Sequence, residues 1–304
     1  MPRIYLLLLA VLILGSCKKE PKEVVFTNND IAAYDQVPRI LIENYVNRVF
    51  IDLIGREPTD LEMEAESNTL KAANADVNSR IVLVQKLMFN EDFVEGDGSY
   101  REAYMRKFYE DQKGRFIDGA SDANLWEDYN VFRSIAIQDS LEGNFLVYEI
   151  VMIEANKVLD VINCREELKD GEIDFREMCR RMMFNSIYDD INMNTFNFIN
   201  ATFDDCFGRF PTESEYFAVE DAIEFNGSGA LFGQSVNSKP SYLDVMVNSN
   251  EFDEGYIRWV YAAYLAREAT SNEVYINAPL FSAEIDYTLI QQKILISNEY
   301  AGFE

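Results

Sequence analysis

YVNRVFIDLIGREPTDLE, Tyr45 to Glu62, decides how the chain is read, because it occurs more than once. Phe198 to Glu215 reads FINATFDDCFGRFPTESE, and Tyr256 to Glu273 reads YIRWVYAAYLAREATSNE. The first two copies share Asn47/Asn200, Phe50/Phe203, Asp52/Asp205, Gly55/Gly208, Arg56/Arg209, Pro58/Pro211, Thr59/Thr212 and Glu62/Glu215. The third keeps Arg267, Thr270 and Glu273, with Ala266 for the glycine and Ala269 for the proline. Recurrence of this kind marks one supersecondary unit used several times.

Within a unit, Tyr45, Val49, Phe50, Leu53 and Ile54 fall at helical spacing, with Asn47, Arg48 and Asp52 on the other side. Gly55 then ends the helix, since glycine readily takes the left-handed conformation of a helix C-terminus. Pro58 cannot continue a helix, and Thr59-x-x-Glu62 has the spacing of a capping box that starts a second one. The recurring Arg56, Arg209 and Arg267 are expected to bond helix-end carbonyls or a nearby acid; one active site would not need three. A third amphipathic helix follows in Arg80–Phe93, Tyr242–Phe252 and Ile290–Tyr300. Each closes on a polar residue, a variable residue, an acid and an aromatic, as in Ser249-Asn250-Glu251-Phe252. Ala266 leads to the expectation that the third turn differs locally from the other two. A fainter fourth echo lies at Met183 to Tyr188, with no Gly-Arg-x-Pro turn before it.

The run Arg48-Val49-Phe50-x-Asp52-Leu53-x-Gly55-Arg56-x-Pro58-Thr59, followed by a helix closing on Ser-x-Glu-Phe, resembles a group of small helical units. These occur in phycobilisome-linker-like and extracellular-matrix-associated domains of unknown function, and in a related domain beside planctomycete cytochromes. The resemblance covers about half the chain. It implies a helical fold and is nearly silent on activity. A haem role does not carry over, because the chain has no Cys-x-x-Cys-His and no histidine. No cofactor is expected.

Residues 1–16 read as a signal peptide: Arg3 is the positive start, and Ile4 to Leu14 is an apolar run too short to span a bilayer comfortably. Leu14-Gly15-Ser16-Cys17 matches a lipobox, so Cys17 is the expected lipidation site and new N-terminus. Residues 17–30 would form a polar tether. Lys18 after that cysteine implies an outer-membrane lipoprotein, in a style resembling those of Bacteroidetes. The remainder is read as two helical domains, 31–190 and 191–304. Few Gly and Pro and no run of strands make the expected fold class all-α: repeated helix-turn-helix units, packed as a helical array or as two subdomains.

The formal charge of −26 disfavours nucleic acid as a partner, since such a surface repels a phosphate backbone. Protein partners in the outer membrane, and the membrane itself through the lipid, are expected instead. Cys164 and Cys179 flank the turn-like Lys169-Asp170-Gly171 and are the candidate disulfide pair, whereas Cys206 reads as a small core residue. Asp170, Asp174 and Glu177 resemble the second half of an EF-hand loop, but Leu168 at the third position cannot ligate calcium. An acidic helix start accounts for them more simply.

Catalytic residues are not assigned, because the commonest general base is absent. Adjacent acids such as Asp204-Asp205 and Asp189-Asp190 have the residue types for glycosidase chemistry, yet Asp205 occupies the repeat position of Asp52. Two readings follow: a lipid-anchored helical scaffold or accessory subunit of an outer-membrane assembly, and, as the alternative, a carboxylate-based glycan-acting enzyme or ligand-binding lipoprotein. The glycine-rich insertion Asn226 to Ser238 is the expected contact surface.

Overall fold

A computed structural model describes residues 36–303 except Asn226. The signal peptide, Cys17 and the tether lie outside the described residues. The fold is all-α, with fifteen helices and two short hairpins among the described residues.

Three units are plain. The first comprises α1 (Arg39–Ile54), α2 (Asp60–Ala72) and α3 (Val77–Phe89). A small hairpin, β1 (Phe93–Val94) with β2 (Gly98–Ser99), leads to α4 (Tyr100–Phe116), α5 (Asp122–Glu142), α6 (Phe145–Asp170), α7 (Phe175–Met183) and α8 (Ser186–Asn192). The next unit has α9 (Thr195–Phe207), α10 (Glu213–Glu224), the hairpin β3 (Gly229–Leu231) with β4 (Gln234–Val236), and α11 (Lys239–Val247). The last has α12 (Asn250–Leu265), α13 (Ser271–Glu284) and α14 (Tyr287–Leu295), and closes on the one-turn α15 (Asn298–Ala301).

Each turn behaves alike. Gly55 and Gly208 take φ of +79° and +68° as helix C-caps. Thr59, Thr212 and Thr270 each cap a second helix, with Glu62, Glu215 and Glu273 closing the capping box. Ala266 does not make the turn differently: it adopts φ +52°, ψ +32° in the same left-handed region. A Cβ is disfavoured there by roughly 1–2 kcal/mol. Ala266→Gly is therefore expected to raise stability by about 0.5–1 kcal/mol, once glycine's greater unfolded freedom is subtracted. Urea unfolding checks it, and a loss of stability would mean that the turn carries no strain.

The fourth echo is a genuine unit. The buried residues of α4 (Tyr100, Ala103, Tyr104, Met105, Phe108, Tyr109, Gln112) repeat the spacing of those in α12 (Phe252, Gly255, Tyr256, Ile257, Val260, Tyr261, Tyr264). In that register Gly114-Arg115 stands where Gly55-Arg56 stands in the first unit. The helix runs through Gly114 instead of stopping, because no proline or Thr-x-x-Glu follows to restart the chain. The second helix of this unit is replaced by the long α5–α6 hairpin.

α1 packs on α4 and α9 on α12, and two arginines join the pairs. Arg115 at the end of α4 donates to the Asp205 carbonyl in the last turn of α9 (2.9 Å from Nε), and Arg48 of α1 donates to the Tyr264 carbonyl in the last turn of α12. Between them lies an aromatic centre in which Phe108 stacks on Tyr287 at 4.3 Å and Phe175 meets Tyr256 at 4.7 Å. The described residues from Val37 onward form one compact unit with one continuous core.

Candidate functional site

The recurring arginines form clamps. Arg56 meets the two carboxylate oxygens of Glu62 at 2.8 Å each, in the two-pronged geometry a guanidinium favours. Arg209 does the same to Glu215 (2.9 and 2.8 Å), and Arg267 to Glu273 (3.0 and 2.7 Å). A second acid completes each clamp: Asp97, Glu251 and Glu299 respectively. The arginine thus ties the turn to the start of the following unit. In the first unit Asp97 takes the place that Glu251 and Glu299 hold in the others, because β1–β2 delays the next helix; Phe93 is left exposed and Tyr100 fills the core position of Phe252 and Tyr300. For Glu62, burial works upward but the Arg56 guanidinium and the Thr59 amide outweigh it, and the carboxyl falls to about 2. Arg209 and Arg267 bring Glu215 and Glu273 to about 2 as well. Gly55 and Gly208 thus end helices, and Arg56 and Arg209 tie down the turns that contain Pro58 and Pro211.

Asp52 and Asp205 share a second device. The Tyr300 hydroxyl donates to Asp52 and that of Tyr188 to Asp205, each at 2.7 Å. Both tyrosines stand at the aromatic position of the closing motif. Their phenol contacts could not be read from the sequence, but their recurrence with that motif was the available signal.

Asp205 also borders a cavity of about 600 Å3, between the end of α9 and the exposed side of α12. Asp204, Glu251, Glu254, Arg115, Arg258 and Trp259 share its wall. Burial pushes the Asp205 carboxyl up to about 7, against the pull of Tyr188 and Arg115. Such a group could serve as a proton donor. Its position argues otherwise, since Asp205 is held by Tyr188 as Asp52 is by Tyr300, and Glu251 belongs to the Arg209 clamp.

The folded chain binds the Asp205 proton more tightly than the unfolded chain does. Stability therefore falls as pH rises from about 4 through about 7, and is flat above. Asp205→Asn, which keeps an acceptor for Tyr188, is expected to remove this slope and to gain up to about 4 kcal/mol over the parent at pH 8 relative to pH 4. Denaturant unfolding at the two pH values checks it; parallel pH profiles would show that the carboxyl is ionised throughout.

Several expectations change. Cys164 and Cys179 are free and buried, not bridged. The Cys164 thiol turns into its own helix toward the Asp160 carbonyl at 3.0 Å, and burial pushes both thiols up. Asp170, Asp174 and Glu177 lie at the end of one helix and the start of the next. Asp170 ends α6 before the left-handed Gly171, Asp174 caps α7 through the Glu177 amide, and the Glu177 carboxylate accepts from Arg181 at 2.8 Å. Among the described residues no group of three or more acids or cysteines is placed to hold a metal ion. The described part of the glycine-rich insertion is anchored at its base, where Leu231 and Val236 are buried and a Cβ on Gly229 would sit 2.1 Å from the Ala218 carbonyl, while Phe232 and Gln234 at its tip are exposed.

A dense run of exposed apolar side chains lies on α5–α6. Ten large apolar side chains between Trp126 and Ile153 are 44–85% exposed. The second half of α6 buries Val158, Val161, Cys164 and Leu168, and packs on α4, α7 and α8. Leu146, Ile150 and Ile153, at the i, i+4, i+7 spacing of one helix face, are left bare in its first half. The sequence reading missed this, since an apolar helix reads as core until the fold shows that nothing covers it. No described helix is long and apolar enough to cross a membrane. In comparisons with known proteins, the chain matches no family model, no curated protein and no solved structure.

Proposed function

We propose that this chain is a lipid-anchored helical scaffold, an accessory subunit of an outer-membrane assembly that docks protein through the α5–α6 hairpin. The observation that carries this reading is the bare apolar half of that hairpin. Isolated surface hydrophobics are ordinary, but ten large exposed ones along two paired helices favour an interaction site. The lipobox at Cys17 supplies the anchor in this reading, and residues 17–30 the reach. The carboxylate-enzyme alternative finds less support, because the cavity acids Asp205 and Glu251 are engaged in contacts that recur in other units.

The test is recovery of partners from detergent-solubilised membranes by the full chain and by its Ile150→Glu, Ile153→Glu variant. The variant is expected to stay folded, since both side chains are already in water, and to lose the partner bands. Cys17→Ser is expected to move the protein to the soluble fraction. Unchanged partner recovery by the hairpin variant, or Cys17→Ser protein that stays on membranes after a high-salt wash, would overturn the corresponding half of the proposal.

A further inference from the structure

We infer that the cavity between the end of α9 and α12 binds a primary ammonium on an apolar stem, the chemistry shared by a lysine side chain and a small alkylamine. This goes beyond the scaffold reading and does not rest on the hairpin.

The repeat supplies the reason. In the register that aligns α4 with α12, Lys107 stands where Trp259 stands. Beside α1 the Lys107 stem runs against Gly55, where a Cβ would lie 3.2 Å from its Cδ. Its ammonium bonds Asp111 and draws the Asp52 carboxyl downward against burial. Beside α9 that place is open: a Cβ on Gly208 would have nothing within 4 Å. Trp259 lies instead along Tyr256, 22° from parallel, with the Arg115 guanidinium 5.5 Å from its ring. Asp205 therefore borders a cavity where its counterpart Asp52 has a lysine.

The walls suit the same group. Five carboxylates and three guanidiniums line the cavity. Arg209 is held by Glu215 and Glu251, Arg115 gives two N–H groups to the Asp205 carbonyl, and Arg258 turns to Glu254 at 3.4 Å. Among the described residues, the Asp204 and Glu268 carboxylates have no hydrogen bond or ion pair, so negative charge is left over. Asp204 stands where α1 has Ile51, and Ala263 of α12 where α4 has Asp111, so each helix pair sets two acids around one place. Phe207, Trp259 and Ala262 offer an apolar wall to the stem, and an aromatic face also attracts an ammonium. The Nη1 of Arg115 lacks a partner too, yet an anion there would share the cavity with five carboxylates. Acids alone are common on a chain of this charge. The open place of a repeat lysine is what points to a ligand.

The experiment uses the full chain in detergent at pH 8, where Asp205 is ionised. Trp126→Phe, on the exposed side of α5, leaves Trp259 as the single tryptophan. Titration with Nα-acetyl-lysine methylamide and with 1-aminopentane is expected to change its fluorescence saturably, with Kd of about 1–10 mM for ligands of this size. The tighter of the two tells whether the ammonium comes from a polypeptide or from a free amine. 1-Pentanol and the Nε-acetylated lysine amide, which keep the stem and lose the charge, should bind at least tenfold more weakly. Asp204→Asn should weaken the amines at least about threefold, and Ala262→Phe should block them. Both residues are exposed, so unchanged melting temperatures are expected.

No saturation by about 100 mM of either amine would overturn the inference. So would pentanol binding as tightly as 1-aminopentane, glutarate binding in place of the amines, or an Asp204→Asn variant whose Kd equals that of the parent.

Discussion

Gly255→Ala is expected to destabilise the protein by more than about 3 kcal/mol, the upper end for overpacking a core. A Cβ at Gly255 would lie 1.9 Å from the Cys206 carbonyl oxygen and 3.1 Å from the Phe207 Cα. These are backbone atoms of α9, so no side chain can swing away, and α12 must move off α9. That movement would disturb Tyr256 and Ile257 on one side and Cys206 on the other, all fully buried. For a chain of this size the melting temperature should fall by roughly 6–12 °C. Gly114→Ala is the control. Gly114 lies inside α4 with helical backbone and nothing within 4 Å of a Cβ, so alanine there should stabilise by about 0.5–1 kcal/mol. The same substitution is thus expected to act with opposite sign at two helical glycines. Shifts of the same sign would mean that α9 and α12 are not in backbone contact.

Removal of the residues after Ile296 is expected to abolish cooperative folding. The segment is short, yet it carries Tyr300, 1% exposed, and Phe303, which with Tyr300 packs on the Tyr45 ring. Each buried aromatic lost costs about 3–5 kcal/mol, and together they match the whole stability of a typical domain. The loss is also polar. Arg48 forfeits the Tyr300 carbonyl (3.0 Å) and the ring beneath its guanidinium, Asp52 forfeits the Tyr300 hydroxyl, and Arg267 keeps only Glu273 of its two acids. Tyr300→Phe separates the contributions: it keeps the packing, loses only the bond to Asp52, and should cost about 1–2 kcal/mol. Calorimetry of the shortened chain settles the matter. A sharp transition near that of the parent would show that α15 is an ornament rather than the closure between the last unit and the first.

The sequence by itself determined the repeating unit. Gly55, Thr59 and Glu62 act through contacts within a few residues of themselves, so their spacing alone announces a helix stop, a cap and a restart. Arg56, Arg209 and Arg267 were legible for the same reason, each reaching a glutamate six residues on. The helical fold class followed from these local rules and from apolar spacing.

What the tertiary structure decided is everything that depends on which faces meet. The fourth unit is nearly silent in sequence because Gly114-Arg115 lost its restart signal, and its register appears only in the burial of α4. Ala266 looked like a different turn, but the clamp of Arg267 on Glu273 and Glu299 is set against the strain of its left-handed backbone. Gly229 looked like part of an open loop, and proved to lie against the backbone of α10. Leu146, Ile150 and Ile153 have the same spacing as the core stripes of α4 and α12, and periodicity cannot tell a covered stripe from a bare one. Burial is a property of two surfaces, and a sequence pattern describes only one of them.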